Sequence, residues 1–344
     1  MACKWSEKEK ILLFMSTLTK SSPAGPVPYL SDEQLTPGVK AFLKIANSGA
    51  PVESLPKLAA RQVLIDAQKA FKVDYSGITE SEKEIEADGF TIKLNIVKPE
   101  GAKDDVPVFI FIHGGGWILG DYPTHKRLVR DLVVESGFAA AFVNYTPSPE
   151  AHYPQSINEI YAATKWVAAN GKQIGVDGSK LAVVGNSVGG NMTGVTGLMA
   201  KEQKGPEIKC LVMMWPVADA SFSEKSYELF GADRFLTTPL MKWMWDQYTT
   251  DLEARKEIHA SLLNATTEQL QGLPPVLIQV AENDILRDEG EAFGRKLYEA
   301  GVTVTTVRYG GMIHDWGMLN GLAEEPATKS LVRHAASELR HYLK

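Results

Sequence analysis

Short, continuous apolar runs alternate along this chain with segments that have helical spacing. The runs are "VPVFIFIHG", "FAAAFVNYT", "KLAVVGN", "IKCLVMMWPV", "PPVLIQVAEND" and "VTVTTVRYGG". Apolar runs of this length are typical of strands buried on both faces of a sheet. The segments between them, such as "THKRLVRDLVVESG" and "SINEIYAATKWVAAN", place apolar residues at helical intervals. The pattern predicts an α/β fold with a mostly parallel central sheet flanked by helices.

Two regions depart from this alternation. The stretch "SEKEIEADGFTIKLNIVKPEG" alternates polar and apolar residues on both sides of Asp88-Gly89, which predicts a β-hairpin at the edge of the sheet. Residues 221–250 are rich in aromatic side chains and replace a simple crossover. Together with the helical patches of the N-terminal region, they are expected to cover one end of the sheet.

Composition and charge exclude several functional classes. The chain has 344 residues, of which 44% are hydrophobic and 23% charged, as in an ordinary soluble protein with one large core. The net charge of -6 is spread along the chain without a basic stripe, which argues against a nucleic-acid partner. No run reaches the roughly 20 apolar residues of a membrane-spanning helix.

The N terminus and the cysteines indicate a reducing compartment. "MACKWSEKEKILLFMSTLTK" has only a short apolar run and no clear cleavage site, so we interpret it as an amphipathic helix instead of a signal peptide. Cys3 and Cys210 are too few for a disulfide framework, and Cys210 lies in an apolar run typical of a buried strand. These observations predict a cytoplasmic protein.

A glycine-flanked serine follows the third apolar run. In "KLAVVGNSVGGN", Gly185 and Gly189 lie two residues either side of Ser187. Glycine at both positions permits a sharp strand-to-helix turn that lifts the serine oxygen out of the sheet. Short glycine patterns also occur in loops that merely join two elements or bind phosphate. The motif alone is therefore compatible with two interpretations of Ser187, as a nucleophile or as a turn residue.

Three consecutive glycines follow His113 at the end of the first run, in "FIFIHGGGWILGD". Ligands bind at the carboxyl ends of parallel strands, so this loop and the Ser187 turn are expected at one sheet edge. Glycines there free backbone N–H groups to stabilise the oxyanion of a tetrahedral intermediate. The alternative is a flexible loop or an anion nest. The loop lacks the Lys-Ser/Thr ending of a P-loop, which argues against a nucleotide site.

A serine nucleophile requires a base and a carboxylate that orients it. His314 follows the last predicted strand in "VTTVRYGGMIHDWG", and Asp284 follows the strand before it in "VLIQVAENDILRDEGEAF". The order Ser187, Asp284, His314 is the chain order of an α/β-hydrolase triad. The sequence therefore predicts that these three residues meet at one edge of the sheet.

Other acids and histidines compete for these roles. Glu282, Asp288 and Asp315 are alternatives for the carboxylate, and Asp288 is expected to cap the helix that it opens. The remaining histidines are expected on the surface or in packing positions; they are His125, His152, His259, His334 and His341.

The motifs "HGGGW", "GNSVGG", "ENDILRDEGEAF" and "GMIHDWG", in this order, make the chain resemble the hormone-sensitive-lipase-like family of α/β-hydrolase esterases from about residue 75 to the C terminus. The resemblance implies that Ser187 attacks the ester carbonyl, that His314 is the general base and then the general acid, and that Asp284 orients the imidazole. It further implies an oxyanion hole formed by the amides of Gly115, Gly116 and Val188. These three residues complete the predicted catalytic centre.

The same resemblance assigns His113 to the scaffold of the glycine loop. The chain departs from the family pattern at Asn186 and Val188, where Asp and Ala are common, and in "NYTPSPEAHYP", which lacks the usual arginine. Val188 still offers its N–H, so the mechanism is expected to survive, while its branched side chain is expected to alter the pocket.

Aromatic residues are the candidates for substrate contacts. Trp117, Trp215 and Phe222 are predicted to line the pocket, although Trp117 is equally compatible with core packing. Aromatic residues of the 221–250 insertion are expected to shape an apolar substrate site or to serve as ordinary packing; they are Phe222, Phe230, Phe235, Trp243 and Trp245.

The sequence thus predicts a serine carboxylesterase for short to medium acyl esters, without a cofactor or a metal site, because no H-E-x-x-H-like ligand spacing is present. An amidase, lactonase or thioesterase on the same triad is the first alternative. The second is a small-molecule receptor, against which the presence of His314 argues. The resemblance also implies a homodimer formed through the last strand and the C-terminal helix.

The predicted domain organisation has two parts. The catalytic core comprises residues 71–220 and 251–344. Residues 1–70 and the insertion 221–250 are expected to form a helical cap over it.

Overall fold

The computed structural model describes residues 27–103 and 105–344. The amphipathic helix expected in the first 20 residues, and Cys3, lie outside this range. One eight-stranded sheet forms the centre of the described chain, with the strand order β1-β2-β4-β3-β5-β6-β7-β8. The strands are β1 Ile78–Ala87, β2 Phe90–Pro99, β3 Val106–Ile112, β4 Ala139–Asn144, β5 Val176–Asn186, β6 Ile208–Met214, β7 Val276–Asn283 and β8 Val304–Ile313.

Strands β3 to β8 run parallel, and this part of the sheet carries the apolar runs. Strand β2 pairs antiparallel with β4 and with β1, which lies at one edge of the sheet. The predicted hairpin is confirmed: Asp88 and Gly89 have φ of 51° and 83°, the two positive values that a type I′ turn requires. In β3, Phe109, Ile110 and Phe111 are fully buried, as expected of a strand covered on both faces.

Helices cover both faces and one end of the sheet. They are α1 Pro37–Ala46, α2 Lys57–Lys69, α3 Tyr122–Ser136, α4 Gln155–Asn170, α5 Val188–Glu202, α6 Lys225–Phe230, α7 Thr238–Tyr248, α8 Thr267–Leu270, α9 Arg287–Glu299 and α10 Pro326–Tyr342. Helix α3 shows how local sequence sets these limits. Asp121 and Thr124 form a capping box at its start, and Gly137 ends it with a φ of 77°.

A buried amide is among the groups that join helix α2 to the main body. Gln68 Nε2 donates to the carbonyl oxygen of Met318 at 2.9 Å, while Gln68 Oε1 accepts from the backbone N–H of Asn320 at 2.8 Å. Both partners belong to the loop that follows β8. The helix is thereby fixed beside the carboxyl ends of the strands, where ligands of parallel sheets bind. No helix in the described part of the chain combines the length and apolar character that crossing a lipid bilayer requires.

Candidate active site

Ser187 occupies a strained turn between β5 and α5. Its φ and ψ are 56° and -121°, a region that residues with a side chain rarely adopt. A Cβ at Gly185 would lie 2.3 Å from the carbonyl oxygen of Gly189, and one at Gly189 would lie 2.0 Å from that of Ile112. Both glycines are therefore needed for the close approach of strand and helix, and the sharp turn expected from the sequence is confirmed.

Three loops bring Ser187, His314 and Asp284 together. His314 Nε2 lies 3.0 Å from Ser187 Oγ, and His314 Nδ1 lies 2.7 Å from Asp284 Oδ2. The second carboxylate oxygen of Asp284 accepts from the backbone N–H of Leu286 at 3.0 Å. All three residues of the cluster are buried, with 4% or less of their surface exposed. A hydroxyl, an imidazole and a carboxylate in this connected order have the geometry of a serine activated by a base.

Opposing effects act on the protonation of His314. Burial by itself lowers the pKa of the imidazole, whereas the neighbouring carboxylates of Asp284 and Asp315 raise it. The net result is a pKa above the ordinary value of 6.5. The site therefore stabilises the imidazolium, which is the form that the base takes after it has accepted a proton.

The competing carboxylates have other partners. Asp288 accepts from the backbone N–H of Ser226 at 2.9 Å and pairs with Arg287 at 2.7 Å. The expectation that it caps a helix is wrong, because α9 begins at Arg287 and Asp288 lies within its first turn. Glu282 accepts from the N–H of Gly311 at 2.8 Å.

Asp315 is buried beside the imidazole without bonding to it. Its Oδ1 lies 3.8 Å from His314 Nε2 and accepts from Trp215 Nε1 at 2.7 Å. The distance to the imidazole exceeds that of a hydrogen bond. Asp315 therefore acts on His314 through its charge.

The glycine loop faces Ser187 with unused backbone donors. Gly115 and Gly116 have φ of 108° and 63°, and both line a cavity together with Ser187. Within residues 27–103 and 105–344, no group accepts a hydrogen bond from the amides of Gly115, Gly116 or Val188. The amide of Gly114, in contrast, donates to Asn186 Oδ1 at 3.0 Å. Free N–H groups beside a hydroxyl can donate hydrogen bonds to an oxygen on which negative charge develops.

His113 is built into the loop scaffold. Its Nδ1 lies 2.8 Å from the carbonyl oxygen of Gly114, and its ring stacks on Tyr145 with centroids 4.2 Å apart. The Tyr145 hydroxyl donates to the carbonyl oxygen of His113 at 3.1 Å. Burial lowers the pKa of His113 to about 4, so it is neutral at neutral pH. This placement agrees with the scaffold role that the family resemblance implied.

A cavity of about 400 Å³ opens above these residues. Its polar lining comprises Ser187, His314, Asp315 and Asn47 together with the glycine loop. Helices α1, α2 and α7, the 235–236 segment and their neighbours supply the apolar lining: Phe42, Ile45, Ala46, Val52, Ala60, Val63, Leu64, Ala67, Ala70, Phe71, Leu119, Phe235, Leu236, Leu240 and Met244. An apolar cavity with a few convergent polar groups is typical of small-molecule sites.

The structure corrects the prediction for Trp117, Trp215 and Phe222, none of which lines the cavity. Trp117 is fully buried and stacks on Tyr248 with centroids 4.2 Å apart. Trp215 is also fully buried, below Asp315. Phe222 packs edge-on against Tyr227. The two tryptophan rings thus pack inside the protein, and the half-buried Phe222 ring packs against a neighbouring aromatic residue.

The other insertion aromatics divide in the same way. Phe235 lines the cavity, whereas Phe230, Trp243 and Trp245 do not. Trp245 is fully buried with its ring 4.6 Å from that of Trp117. Of the five aromatic residues expected to shape the substrate site, only Phe235 does so.

The sequence analysis did not identify most of the cavity lining, the larger part of which comes from residues 42–71. Phe42, Leu64 and Phe71 are ordinary apolar residues at helical spacing, and that spacing signals burial without saying whether the neighbour is protein or a cavity. The hydrogen bond between Asn186 and Gly114 was also not predicted, because residue spacing does not show which side chains of distant loops come into contact. Within the described residues, no group of three His, Cys, Asp or Glu side chains is arranged to hold a metal ion.

Comparison with known proteins agrees with this fold. Residues 109–318 match a family model described as an alpha/beta hydrolase fold. The crystal structure of a thermostable esterase from Pseudomonas putida ECU1011 superposes with a TM-score of 0.90 at 55% identity, covering 91% of this chain and 99% of that one. Carboxylesterase NlhH of Mycobacterium tuberculosis is 31% identical over 76% of this chain and 82% of its own length.

A further relative is named for a specific ester. Ethyl acetate hydrolase of Pseudomonas putida is 27% identical over 85% of this chain and 94% of its own length. The family match covers more than half of the chain, and the relatives align with it over most of their length. The chain therefore belongs to the α/β-hydrolase family, within its hormone-sensitive-lipase-like group of esterases.

Proposed function

We propose that the protein is a serine carboxylesterase that hydrolyses short to medium acyl esters through an acyl-enzyme intermediate. One observation carries this proposal: the Ser187 hydroxyl lies 3.0 Å from His314 Nε2, on the side of the imidazole opposite Asp284. The base is therefore within reach of the proton that it must remove. The names of the relatives, which include a carboxylesterase and an ethyl acetate hydrolase, support the ester as the substrate bond.

In the acylation step, Ser187 Oγ attacks the carbonyl carbon of the ester while His314 Nε2 takes the hydroxyl proton. The carbonyl electrons move onto its oxygen, and this oxyanion is stabilised by the N–H groups of Gly115, Gly116 and Val188. The imidazolium then gives its proton to the alkoxide leaving group as the bond to the alcohol breaks. The products of this step are the free alcohol and a Ser187 acyl ester.

Water completes the cycle in the deacylation step. His314 accepts a proton from water, whose oxygen attacks the acyl carbon, and the same amides stabilise the second oxyanion. The imidazolium returns its proton to Ser187 Oγ as the acyl bond breaks, which releases the carboxylic acid. Asp284 holds the ring through Nδ1 and stabilises the imidazolium in both halves of the reaction.

The apolar cavity supports the proposed substrate range. Its volume of about 400 Å³ suits a short or medium acyl or alkyl group. Among the residues that the structure describes, no Lys or Arg, which would favour acidic substrates, lines the cavity. We assign α1 and α2, together with α6 and α7, to a cap over the catalytic core, because α1, α2 and α7 supply most of these walls. The cap would exclude water and select the ester by size.

The homodimer remains a prediction. Strand β8 is an edge strand of the sheet, and edge strands offer backbone groups that can pair with a second copy. Light scattering coupled to size-exclusion chromatography would measure the mass in solution. A mass of one chain would contradict the dimer without affecting the proposed activity.

The test of function is hydrolysis of p-nitrophenyl acetate, butyrate, octanoate and palmitate by the wild type and by Ser187→Ala. We expect activity on the shorter esters that is lost in the variant. Ser179→Ala, which changes an exposed serine of the same strand, is the matched control and should retain full activity. Equal activity of wild type and Ser187→Ala would disprove the proposed nucleophile. If the enzyme hydrolyses amides, lactones or thioesters faster than acyclic oxygen esters, the proposed substrate class is wrong and the preferred class takes its place.

A further inference from the structure

The Asn186 side chain joins the glycine loop to the histidine loop. Its Oδ1 accepts from the backbone N–H of Gly114 at 3.0 Å, and its Nδ2 donates to Asp315 Oδ1 at 3.3 Å. Nδ2 also lies 3.4 Å from His125 Nε2. Asn186 is fully buried and directly precedes Ser187. One amide thus contacts the segments that carry the free N–H groups, the hydroxyl and the imidazole of the site.

The partners of this amide require one oxygen and one N–H donor. Gly114 offers only an N–H, so an oxygen must face it. Asp315 offers a carboxylate oxygen, so a donor must face that side. His125 offers an acceptor as well. Its Nδ1 lies 3.1 Å from the Thr124 hydroxyl and 3.2 Å from the carbonyl oxygen of Asp121. The Thr124 hydroxyl donates its hydrogen to that same carbonyl at 2.8 Å, so Nδ1 carries the ring hydrogen and Nε2 a lone pair. Burial lowers the pKa of His125 well below its ordinary value and keeps the ring neutral.

A carboxylate at position 186 would satisfy Gly114 but not the other two partners. Its second oxygen would face Asp315 Oδ1 at about the 3.3 Å that now separates a donor from an acceptor. Two buried carboxylates at this distance cannot both remain ionised without a large cost, so one of them would take up a proton or move. The identity of residue 186 and that of residue 315 therefore depend on each other.

The Asp315 carboxylate lies beside the imidazole of His314 and is held there by two hydrogen-bond donors. It is 6% exposed, and its carboxylate is held by Trp215 Nε1 at 2.7 Å in addition to Asn186. Burial and the Asp284 carboxylate raise the pKa of Asp315 above its ordinary value, while His314 and these two donors act in the opposite direction and favour its ionised form. The charged groups that face the imidazole are Asp284 at Nδ1 and Asp315 beside Nε2.

We infer that Asn186 and Asp315 are a matched amide–carboxylate pair of positioning residues. The amide fixes the glycine loop against Ser187 and keeps the second carboxylate charged beside His314. This inference rests on the proposed function for its catalytic consequence, while the pairing itself concerns the folded protein. Neither residue reacts with the ester; each acts through the N–H groups of the loop or through the charge on the imidazole.

A double-mutant cycle tests the pair with Asn186→Asp, Asp315→Asn and the exchanged variant N186D/D315N. We expect Asn186→Asp to lower kcat/KM for p-nitrophenyl butyrate roughly 10-fold to 100-fold, because it places two carboxylates together. In the exchanged variant, the carboxamide at 315 donates to the carboxylate at 186, so most of this loss should be recovered. Asn264→Asp, which adds the same charge at an exposed position, is the matched control and should behave as the wild type.

The pH profile separates this role from a merely structural one. Asp315→Asn removes a negative charge beside His314, so the acid limb of kcat/KM should move to lower pH. The loss in Asn186→Asp should shrink as the pH falls, because a proton taken up by the carboxylate pair relieves the repulsion. If the effects of the two single variants simply multiply in N186D/D315N, and the Asp315→Asn profile overlays that of the wild type, the inference is wrong.

The melting temperatures of the wild type and the three variants at pH 8 measure the interaction between residues 186 and 315 independently of catalytic activity. Asn186→Asp should melt at a lower temperature than the wild type. The exchanged variant N186D/D315N should melt at a higher temperature than Asn186→Asp. If the wild type hydrolyses esters but the two substitutions act independently on both kcat/KM and the melting temperature, the paired role of Asn186 and Asp315 is wrong and the proposed function stands. Coupling in the melting temperatures of a protein that hydrolyses no ester would retain the pair and overturn the proposed function.

Discussion

His314 Nε2 lies 3.0 Å from Ser187 Oγ, although 127 residues separate the two in the chain. The serine ends the turn after β5, and the histidine follows β8, three strands away across the sheet. The contact is possible because both loops leave the carboxyl ends of parallel strands and because α5 begins immediately after the serine. A similar argument places Asp284, which follows β7, on the other side of the imidazole.

The choice of carboxylate can be tested with two isosteric variants. Asp284→Asn removes the charge that orients His314, and we expect kcat/KM to fall by roughly 10⁴, somewhat less than on loss of Ser187 or His314. Asp288→Asn is the matched control, since its carboxylate accepts from the backbone N–H of Ser226 and does not contact the imidazole. It should change kcat/KM by less than about 10-fold. A severe loss in Asp288→Asn with a mild one in Asp284→Asn would reverse the assignment.

The pH dependence of kcat/KM follows from the raised pKa of His314. The base must be neutral to accept the serine proton, so activity falls as the pH drops through the pKa of the imidazole. Since the carboxylates of Asp284 and Asp315 raise that pKa above 6.5, the acid limb should have its midpoint above 6.5. Steady-state rates from pH 5 to 9 measure it. A midpoint below 6.5 would show that burial outweighs the carboxylates.

Gly116 offers a test of the proposed oxyanion hole. A Cβ at this position would lie 2.1 Å from Met244 Sδ, and the φ of 63° disfavours any other residue. The Met244 side chain can move aside, but the unfavourable φ should shift the amide of residue 116 in Gly116→Ala. We expect kcat/KM to fall at least 100-fold, which corresponds to about 2.7 kcal/mol of lost transition-state stabilisation. Ester hydrolysis with saturating substrate would show whether kcat carries the loss.

Gly272 supplies the control for backbone strain. It has a similar positive φ of 77°, but nothing lies within 4 Å of its added Cβ. Gly272→Ala should cost about 1 kcal/mol of stability and leave kcat/KM unchanged. Equal losses of activity in the two variants would attribute the Gly116 effect to general destabilisation.

The acyl-chain preference should respond to the width of the cavity. Ala67 lines it from α2, and Ala67→Phe would place a ring in the space available to a substrate chain. We expect the ratio of kcat/KM for p-nitrophenyl octanoate to that for the acetate to fall roughly 10-fold. Ala59→Phe adds the same ring at an exposed position of the same helix and should leave the ratio unchanged. An unchanged ratio in Ala67→Phe would mean that the chain binds elsewhere.

The sequence by itself determined the sheet and the meeting of the chemical residues at one edge. Apolar runs separated by helical spacing specify parallel strands, because only strands covered on both faces lack alternation. Once the strands are parallel, every loop after a strand lies on the same side. Ser187, Asp284 and His314 each follow a strand directly, so their approach could be predicted without coordinates.

The tertiary structure decided which side chains surround the substrate and which support the site. Trp117, Trp215, Phe42 and Phe71 are all aromatic residues whose sequence context does not distinguish core from pocket. The two tryptophans pack inside the protein, while the two phenylalanines line the cavity. The contact between Asn186 and Asp315 joins two loops whose relative placement depends on the whole sheet. Periodicity records that a side chain is buried, but its neighbours are fixed only when distant elements pack together.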